Sequence, residues 1–220
     1  MNIEIKKYAE KIYIAIFDCQ YDLTMTFVRI QEFYESPVFK GKYFSLEEFM
    51  DYWSKEMGDG KFTYIHQWSG FNVPGNILRD WRELYCVNSF EPIRDKEFAL
   101  LDKLFDKLRQ DKEDLKSIYL FGFSKDNKNI EKVINHESAH AMYHVNERYK
   151  ESVDKLIRNY DSGLVKTASK KIKEMGYGEN VINDEIQAYW STNISSDGDL
   201  GYKNEFKENY LKFKGLNEDN

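Results

Sequence analysis

The chain has 220 residues and a formal net charge of −6, with 41% hydrophobic and 16% aromatic residues. This composition supplies enough apolar surface for a folded core and excludes global disorder, and the length fits one large domain or two small ones. The mildly acidic balance argues against nucleic acid and anionic membranes as partners, because both attract basic proteins.

The beginning of the chain and its cysteines predict a cytoplasmic protein. The apolar run at residues 12–17 is too short for the core of a signal peptide, and no segment has the length of a membrane span. The two cysteines, Cys19 and Cys86, are too few for a disulfide framework. We therefore interpret both as reduced thiols, which are typical of the cytoplasm.

The first half of the chain mixes helix and strand patterns. The β-branched run at 12–17 predicts a buried strand, and residues 62–68 predict another, followed by a loop at 69–75. Ser45 and Glu48 have the spacing of a capping box, which marks the start of a helix. The predicted helices cover residues 22–35, 45–57, the stretch from the end of the loop to about 85, and 95–110. The last of these helices has a predicted apolar face that contains Phe98, Leu101, Leu104, Phe105 and Leu108.

The second half begins with a predicted strand at 117–123 and is otherwise helical. We place a boundary near residue 115, between an α+β region of unknown role at 1–114 and a second region at 115–220 that is one strand followed by helices. One continuous domain that contains both regions is the alternative. The predicted fold class is therefore α+β. The predicted helices of this half cover residues 128–145, 147–159, 163–175, 181–193 and 202–213.

One motif in the second half carries specific chemistry. His136, Glu137 and His140 match the pattern H-E-x-x-H inside a predicted helix. Residues four apart lie on one helical face, so the two imidazoles are able to bind one tetrahedral Zn²⁺ ion. Glu137 is rotated by about 100° from His136, which leaves its carboxylate free to act as general base toward a metal-activated water. The alternative is a surface helix with two solvated histidines.

A tetrahedral zinc site still needs a third protein ligand. The acidic start of the helix at 181–193 offers Asp184 and Glu185. We favour Glu185, because its longer side chain reaches further across a pair of helices. In the alternative interpretation both carboxylates only complement the dipole at the N-terminus of that helix.

Other histidines are weaker ligand candidates. Three histidines at positions i, i+4 and i+8 span about 12 Å of helical rise, so His144 cannot converge with the other two on one ion. His66 remains a candidate ligand, although it lies in the other half of the chain. The longer motif H-E-x-x-H-x-x-G-x-x-H is excluded, because Tyr143 replaces its glycine and Asn146 its last histidine.

The segments HESAHA (136–141) and NDEIQAY (183–189) resemble the gluzincin class of zinc peptidases, including the compact minigluzincins. The resemblance covers roughly residues 115–195 and implies a zincin-like fold with bound zinc. It assigns zinc binding and water activation to His136, His140, Glu185 and Glu137, the last of these as the base.

The same resemblance implies two further features. Gluzincins place a Tyr or His so that it stabilises the oxyanion, and the candidates here are Tyr189, Tyr177 and Tyr149, of which we select Tyr189. In the zincin layout an edge strand lines the substrate above the zinc helix, and we expect the strand at 117–123 to occupy that position.

These features predict a zinc metallopeptidase, a hydrolase that cleaves a peptide or protein substrate. The alternative is a latent or catalytically silent zincin-fold protein that acts as a binding module. The segment at 64–75, YIHQWSGFNVPG, is either a loop that contacts substrate or partner over the cleft, or a turn packed by its own aromatic rings.

Overall fold

The computed structural model of the protein describes residues 1–88, 90–195 and 197–218. Its strands are β1 (Ile3–Ala9), β2 (Ile12–Phe17), β3 (Gly70–Pro74) and β4 (Tyr119–Ser124). They form a four-stranded sheet in the order β1-β2-β4-β3. The sheet is mixed, because β2 and β4 are parallel whereas the two outer pairs are antiparallel.

Helices cover both faces of this sheet, and the α+β fold class is confirmed. Most predicted helices agree with the structure to within a few residues at each end. The helices are α1 (Gln20–Glu35), α2 (Leu46–Glu56), α3 (Gly75–Cys86), α4 (Asp95–Asp111), α5 (Ile130–Val145), α6 (Glu147–Asn159), α7 (Ser162–Glu174), α8 (Ile182–Ser191) and α9 (Asn204–Glu218). The capping box at Ser45 is present and starts α2.

The sheet separates two hydrophobic cores, because successive side chains of a strand point to opposite faces. Along β2, Tyr13, Ala15 and Phe17 face the core formed with α1 to α4. Ile12 and Ile14 face the core formed with α5 to α9. An inner strand that is covered on both faces is expected to be apolar throughout, as the sequence of β2 is.

Two predictions for the segment at 62–75 are wrong. Residues 62–68 are not a strand; they contain a short 3-10 helix, Tyr64–His66, whose Tyr64 ring packs edge-on against Trp53 and Phe49. The predicted loop at 69–75 instead contains β3, which pairs with β4. The aromatic residues therefore fill a core, and the strand-forming backbone pairs begin only at Gly70.

The edge strand next to α5 is also not the one predicted. β4 corresponds to the predicted strand at 117–123, but it lies inside the sheet between β2 and β3. The edge position belongs to β3, and both strands pack against α5. Sequence alone did not indicate this, because β3 is contributed by a distant part of the chain.

Two smaller differences concern the first half. β1 was not predicted, although its alternation of Ile3 and Ile5 with charged residues is a strand pattern. In α4, Phe98 is exposed, whereas Leu100 is buried together with Leu101, so the apolar face is rotated from the predicted one.

The four strands come from both predicted regions, since β1, β2 and β3 lie before residue 115 and β4 lies after it. The sheet thus joins the residues at 1–114 to those at 115–220 through backbone hydrogen bonds. In the part of the chain that the structure describes, no helix has both the length and the apolar character needed to cross a membrane.

Candidate metal centre

His136, His140 and Glu185 lie together and are buried. The two histidines are one turn apart on α5, and Glu185 lies in the first turn of α8, which packs against α5. The Nε2 atoms of His136 and His140 are 3.3 Å apart, and His140 Nε2 is 3.7 Å from Glu185 Oε1. One ligand atom from each residue lies within 4.8 Å of the others.

Two features of this cluster fit a zinc ion. Zinc–nitrogen bonds of about 2.0–2.1 Å in a tetrahedron place two nitrogen ligands roughly 3.3–3.4 Å apart, which matches the 3.3 Å between the Nε2 atoms. The second feature is Glu185 Oε2, which is buried and has no hydrogen-bond partner among the residues that the structure describes. A buried carboxylate oxygen without a partner is costly unless a cation or a proton compensates it.

The histidine rings are oriented by groups on α8 and at its end. His136 Nδ1 lies 3.3 Å from Thr192 Oγ1, and the Thr192 hydroxyl in turn donates to the backbone carbonyl of Ala188 at 2.6 Å. Contacts of this kind to the second ring nitrogen fix the tautomer of a metal-binding histidine and turn Nε2 toward the ion.

Asp184, the alternative ligand, faces the other side of His140. Its Oδ1 lies 2.9 Å from His140 Nδ1, so Asp184 is placed to accept the proton of the nitrogen that does not face the cluster. Gln187 Nε2 donates to the same Asp184 oxygen at 3.0 Å, and Tyr149 donates to Gln187 Oε1 at 2.8 Å. Asp184 therefore orients His140, while Glu185 faces the cluster.

Glu137 is held by the edge strand. Asn72 Nδ2 on β3 donates to Glu137 Oε2 at 2.9 Å, and the Tyr119 hydroxyl donates to Asn72 Oδ1 at 2.6 Å. Gly70 lies against the same carboxylate, and a Cβ atom at that position would overlap Glu137 Oε1. This arrangement therefore depends on a local motif on α5 and on a sheet whose strands lie far apart in the sequence.

A cavity of about 460 Å³ connects these groups. His136, His140, Glu137 and Glu185 line it, as does Tyr189, whose ring centroid is 4.8 Å from that of His136. Among the other tyrosines considered for the oxyanion, Tyr177 also lines the cavity. Tyr149 hydrogen-bonds to Gln187 and is not part of the lining.

The remaining ligand candidates lie elsewhere. His66 is exposed, and the ring of His144 packs beside that of Tyr119 at 5.2 Å. The two cysteines, Cys19 and Cys86, were not ligand candidates; both are free thiols, as predicted, and neither lines the cavity.

The electrostatics of the cluster depend on burial. Burial raises the pKa of Glu137 and raises that of Glu185 to about 8. Burial lowers the pKa of His136 well below its usual value. Burial opposes the charged form of His140 as well, but the charges of Asp184 and Glu185 outweigh it and raise the pKa of His140 far above normal. The site therefore attracts a positive charge.

Sequence analysis missed two residues of the site, Glu35 and Gln31, and it included Asn72 only as part of the segment at 64–75. Asn72, Glu35 and Gln31 all line the cavity. Glu35 lies in the last turn of α1, where the helix dipole disfavours a carboxylate, and this is the one local signal that could have identified it. The other two come near Glu137 only through the packing of α1 and β3.

Comparisons with protein-family models, with curated proteins and with solved structures gave no match to this chain.

Proposed function

We propose that the protein is a zinc-dependent peptidase of gluzincin type, with His136, His140 and Glu185 as the zinc ligands. The observation that supports this most strongly is the convergence of two Nε2 atoms and a partnerless carboxylate oxygen in one buried cluster. The H-E-x-x-H glutamate lines the same cavity, as this class of mechanism requires.

Zinc held by His136, His140 and Glu185 would polarise the substrate carbonyl and make a water molecule at the site more acidic. Glu137 takes a proton from that water as its oxygen adds to the carbonyl carbon. Glu137 then passes the proton to the nitrogen of the leaving amine, and the carbon–nitrogen bond breaks. The net reaction consumes one water and yields a carboxylic acid and an amine.

Neighbouring residues prepare Glu137 and the carbonyl for this reaction. Asn72 donates to one carboxylate oxygen of Glu137 and so fixes its direction. Tyr189 lies beside His136 on the cavity wall, where its hydroxyl group is able to donate to an oxyanion.

Metal analysis and one variant test the proposal together. The purified protein should contain about one equivalent of zinc, and His140→Ala should lose it, whereas His144→Ala on the same helix should retain it. Glu137→Gln should keep the zinc and lose roughly 10²–10⁴-fold in peptide hydrolysis, the range of general acid–base catalysis. Undiminished hydrolysis by zinc-loaded Glu137→Gln would exclude this mechanism.

The alternative is a binding module with a silent site, and the Asn72 contact favours it, because the amide engages the carboxylate that has to act as base. Asn72→Ala separates the two functions. If Asn72 positions an active base, the variant should lose about tenfold or more in kcat. If Asn72 holds the base inactive, hydrolysis should increase.

A further inference from the structure

The edge of β3 is not free to bind an extended chain. The backbone N–H of Asn72 donates to Gln31 Oε1 on α1 at 3.2 Å, although β3 is the outer strand of the sheet. The Nε2 of Gln31 in turn donates to Glu35. A peptide that added to this edge as a further strand would have to displace Gln31, since strand addition depends on the unpaired backbone groups of the edge.

Two contacts join the opposite walls of the cavity. The ring of Trp68, before β3, packs edge-on against that of Tyr177, between α7 and α8, with the centroids 5.3 Å apart. The backbone N–H of Gly178 donates to the carbonyl of Glu35 at 2.7 Å. These contacts join α1 and β3 to the second half of the chain, so the cavity of about 460 Å³ has the size of a small-molecule pocket rather than of a long groove.

The cavity is strongly acidic beyond the metal cluster. Glu32 and Glu35 line it together with Glu137 and Glu185, and none of the described lining residues is a lysine or an arginine. Glu35 is only 5% exposed. Its Oε2 accepts from Gln31, but no hydrogen bond reaches Oε1 from the part of the chain that the structure describes.

Aromatic rings surround these carboxylates. Tyr64, Trp68 and Tyr177 all line the cavity, and the Tyr64 hydroxyl donates to Glu32 Oε1 at 2.7 Å. Carboxylates combined with aromatic rings are the chemistry that binds ammonium groups. A second metal ion is not favoured, because His136, His140 and Glu185 are the one described group of three donors close enough to hold an ion.

We propose that the cavity binds the free amino end of a short peptide, with the α-ammonium group at Glu35, beside the packed rings of Trp68 and Tyr177. The inference rests on the proposed peptidase function and specifies it as an aminopeptidase. Water adds to the first peptide bond of the substrate, and the products are one amino acid and the shortened peptide. Substrates without a free amino end lack the cation that Glu35 requires.

Matched peptides test this with the zinc-loaded full chain. The set contains a short peptide with a free amino end, its N-acetyl form, and N-acetyl forms with lysine or norleucine at the first position. We expect at least tenfold higher kcat/KM for the free peptide than for each acetylated one. Equal cleavage of the free and acetylated peptides would overturn the inference and leave the peptidase function intact. Preference for the acetylated lysine peptide over the norleucine peptide would also overturn it, because the side-chain ammonium would then be the group recognised.

Variants give a second measurement that does not depend on turnover. An amino-acid hydroxamate should bind zinc-loaded wild type at least tenfold more tightly than its N-acetyl derivative, by calorimetry. Glu35→Gln should abolish this difference without loss of zinc, and Glu151→Gln, an exposed glutamate on α6, should retain it. Equal binding of the two hydroxamates to wild type would overturn the inference. If zinc does not bind and no peptide is cleaved, the proposed peptidase function fails and this inference fails with it.

Discussion

Two buried charged clusters lie on opposite sides of the sheet, and they are satisfied in different ways. In the first core, Arg29 and Glu97 are both fully buried and form an ion pair. Arg29 Nε donates to Glu97 Oε1 at 2.8 Å, and Arg29 also donates to Glu91 and to the carbonyl of Pro92. The Arg29 guanidinium further lies 4.4 Å from the centroid of the Tyr85 ring. The cationic and anionic groups of this cluster compensate one another.

The charges of the cluster at the cavity are not compensated in this way. Glu137, Asp184 and Glu185 are buried beside two histidines, and no described residue hydrogen-bonds to Glu185 Oε2. Because burying unpaired charge is costly, such a site persists in a folded protein when a ligand supplies the missing charge. The comparison indicates that the Arg29 cluster stabilises the fold, and the uncompensated carboxylates of the cavity cluster support the proposed metal site.

The largest expected effect is the difference between the two clusters in what they contribute to the free energy of unfolding. Glu97→Ala leaves the Arg29 guanidinium without its main partner and should reduce the free energy of unfolding by about 3–5 kcal/mol. Glu185→Gln in the zinc-free protein removes a carboxylate that has no partner at Oε2, and should be neutral or stabilising by about 1–2 kcal/mol. Urea unfolding measures both, with the exposed Glu208→Ala as control. Similar losses in the two variants would contradict the distinction.

Metal should stabilise one cluster and not the other. Zinc at a hundredfold excess over its Kd should add about 2.7 kcal/mol to wild type, which raises the Tm by about 5–10 °C for a chain of this size. Glu185→Gln should lose this shift, and His144→Ala should show it in full. Calorimetric melting with zinc and then with chelator measures it, and an unchanged Tm of wild type would contradict the proposed site.

Gly70→Ala tests whether the edge strand has to lie close to Glu137. The added Cβ would overlap the Glu137 carboxylate and lie 2.8 Å from Val133 Cγ1. Overpacking of this kind should cost about 1–3 kcal/mol of stability, and we expect a loss of hydrolysis of at least tenfold, as the base is displaced. Gly215→Ala, where a Cβ meets open space, is the control and should leave both quantities nearly unchanged.

The smallest effect concerns Glu32, whose pKa is raised to about 7 by burial. Because its pKa is raised, the folded protein holds the Glu32 proton more tightly than the unfolded chain does. The stability of the folded protein therefore falls as the pH rises to about 7 and Glu32 has to ionise in the buried site. Glu32→Gln should therefore stabilise the protein relative to wild type at pH 8 by about 1–2 kcal/mol more than at pH 5. Urea unfolding at the two pH values tests this, and a difference independent of pH would contradict it.

Most helices and their start positions were predictable from the sequence. The helix at Ile130–Val145 follows from its apolar spacing, and the 3.6-residue period then places His136 and His140 on one face. The start of α2 follows from Ser45 and Glu48, which form their capping box within four residues of chain. These predictions succeeded because each depends on interactions between near neighbours.

The placement of the site depended on contacts that local patterns do not encode. Asn72 is 65 residues from Glu137, and Gln31 is 41 residues from Asn72, yet both contacts shape the cavity. The order of the sheet brought β3 to the edge that the sequence had assigned to β4. Strand pairing is set by long-range packing rather than by propensity.

The sequence by itself determined the helix that presents the two histidines and the acidic start of α8, because helical periodicity fixes which side chains share a face. Only the tertiary structure decided that Glu185 faces the histidines while Asp184 turns to the far side of His140, and that Glu35 shares the cavity. The physical reason is that neighbouring residues on a helix point about 100° apart, so the packing of α8 on α5 selects which carboxylate meets the cluster.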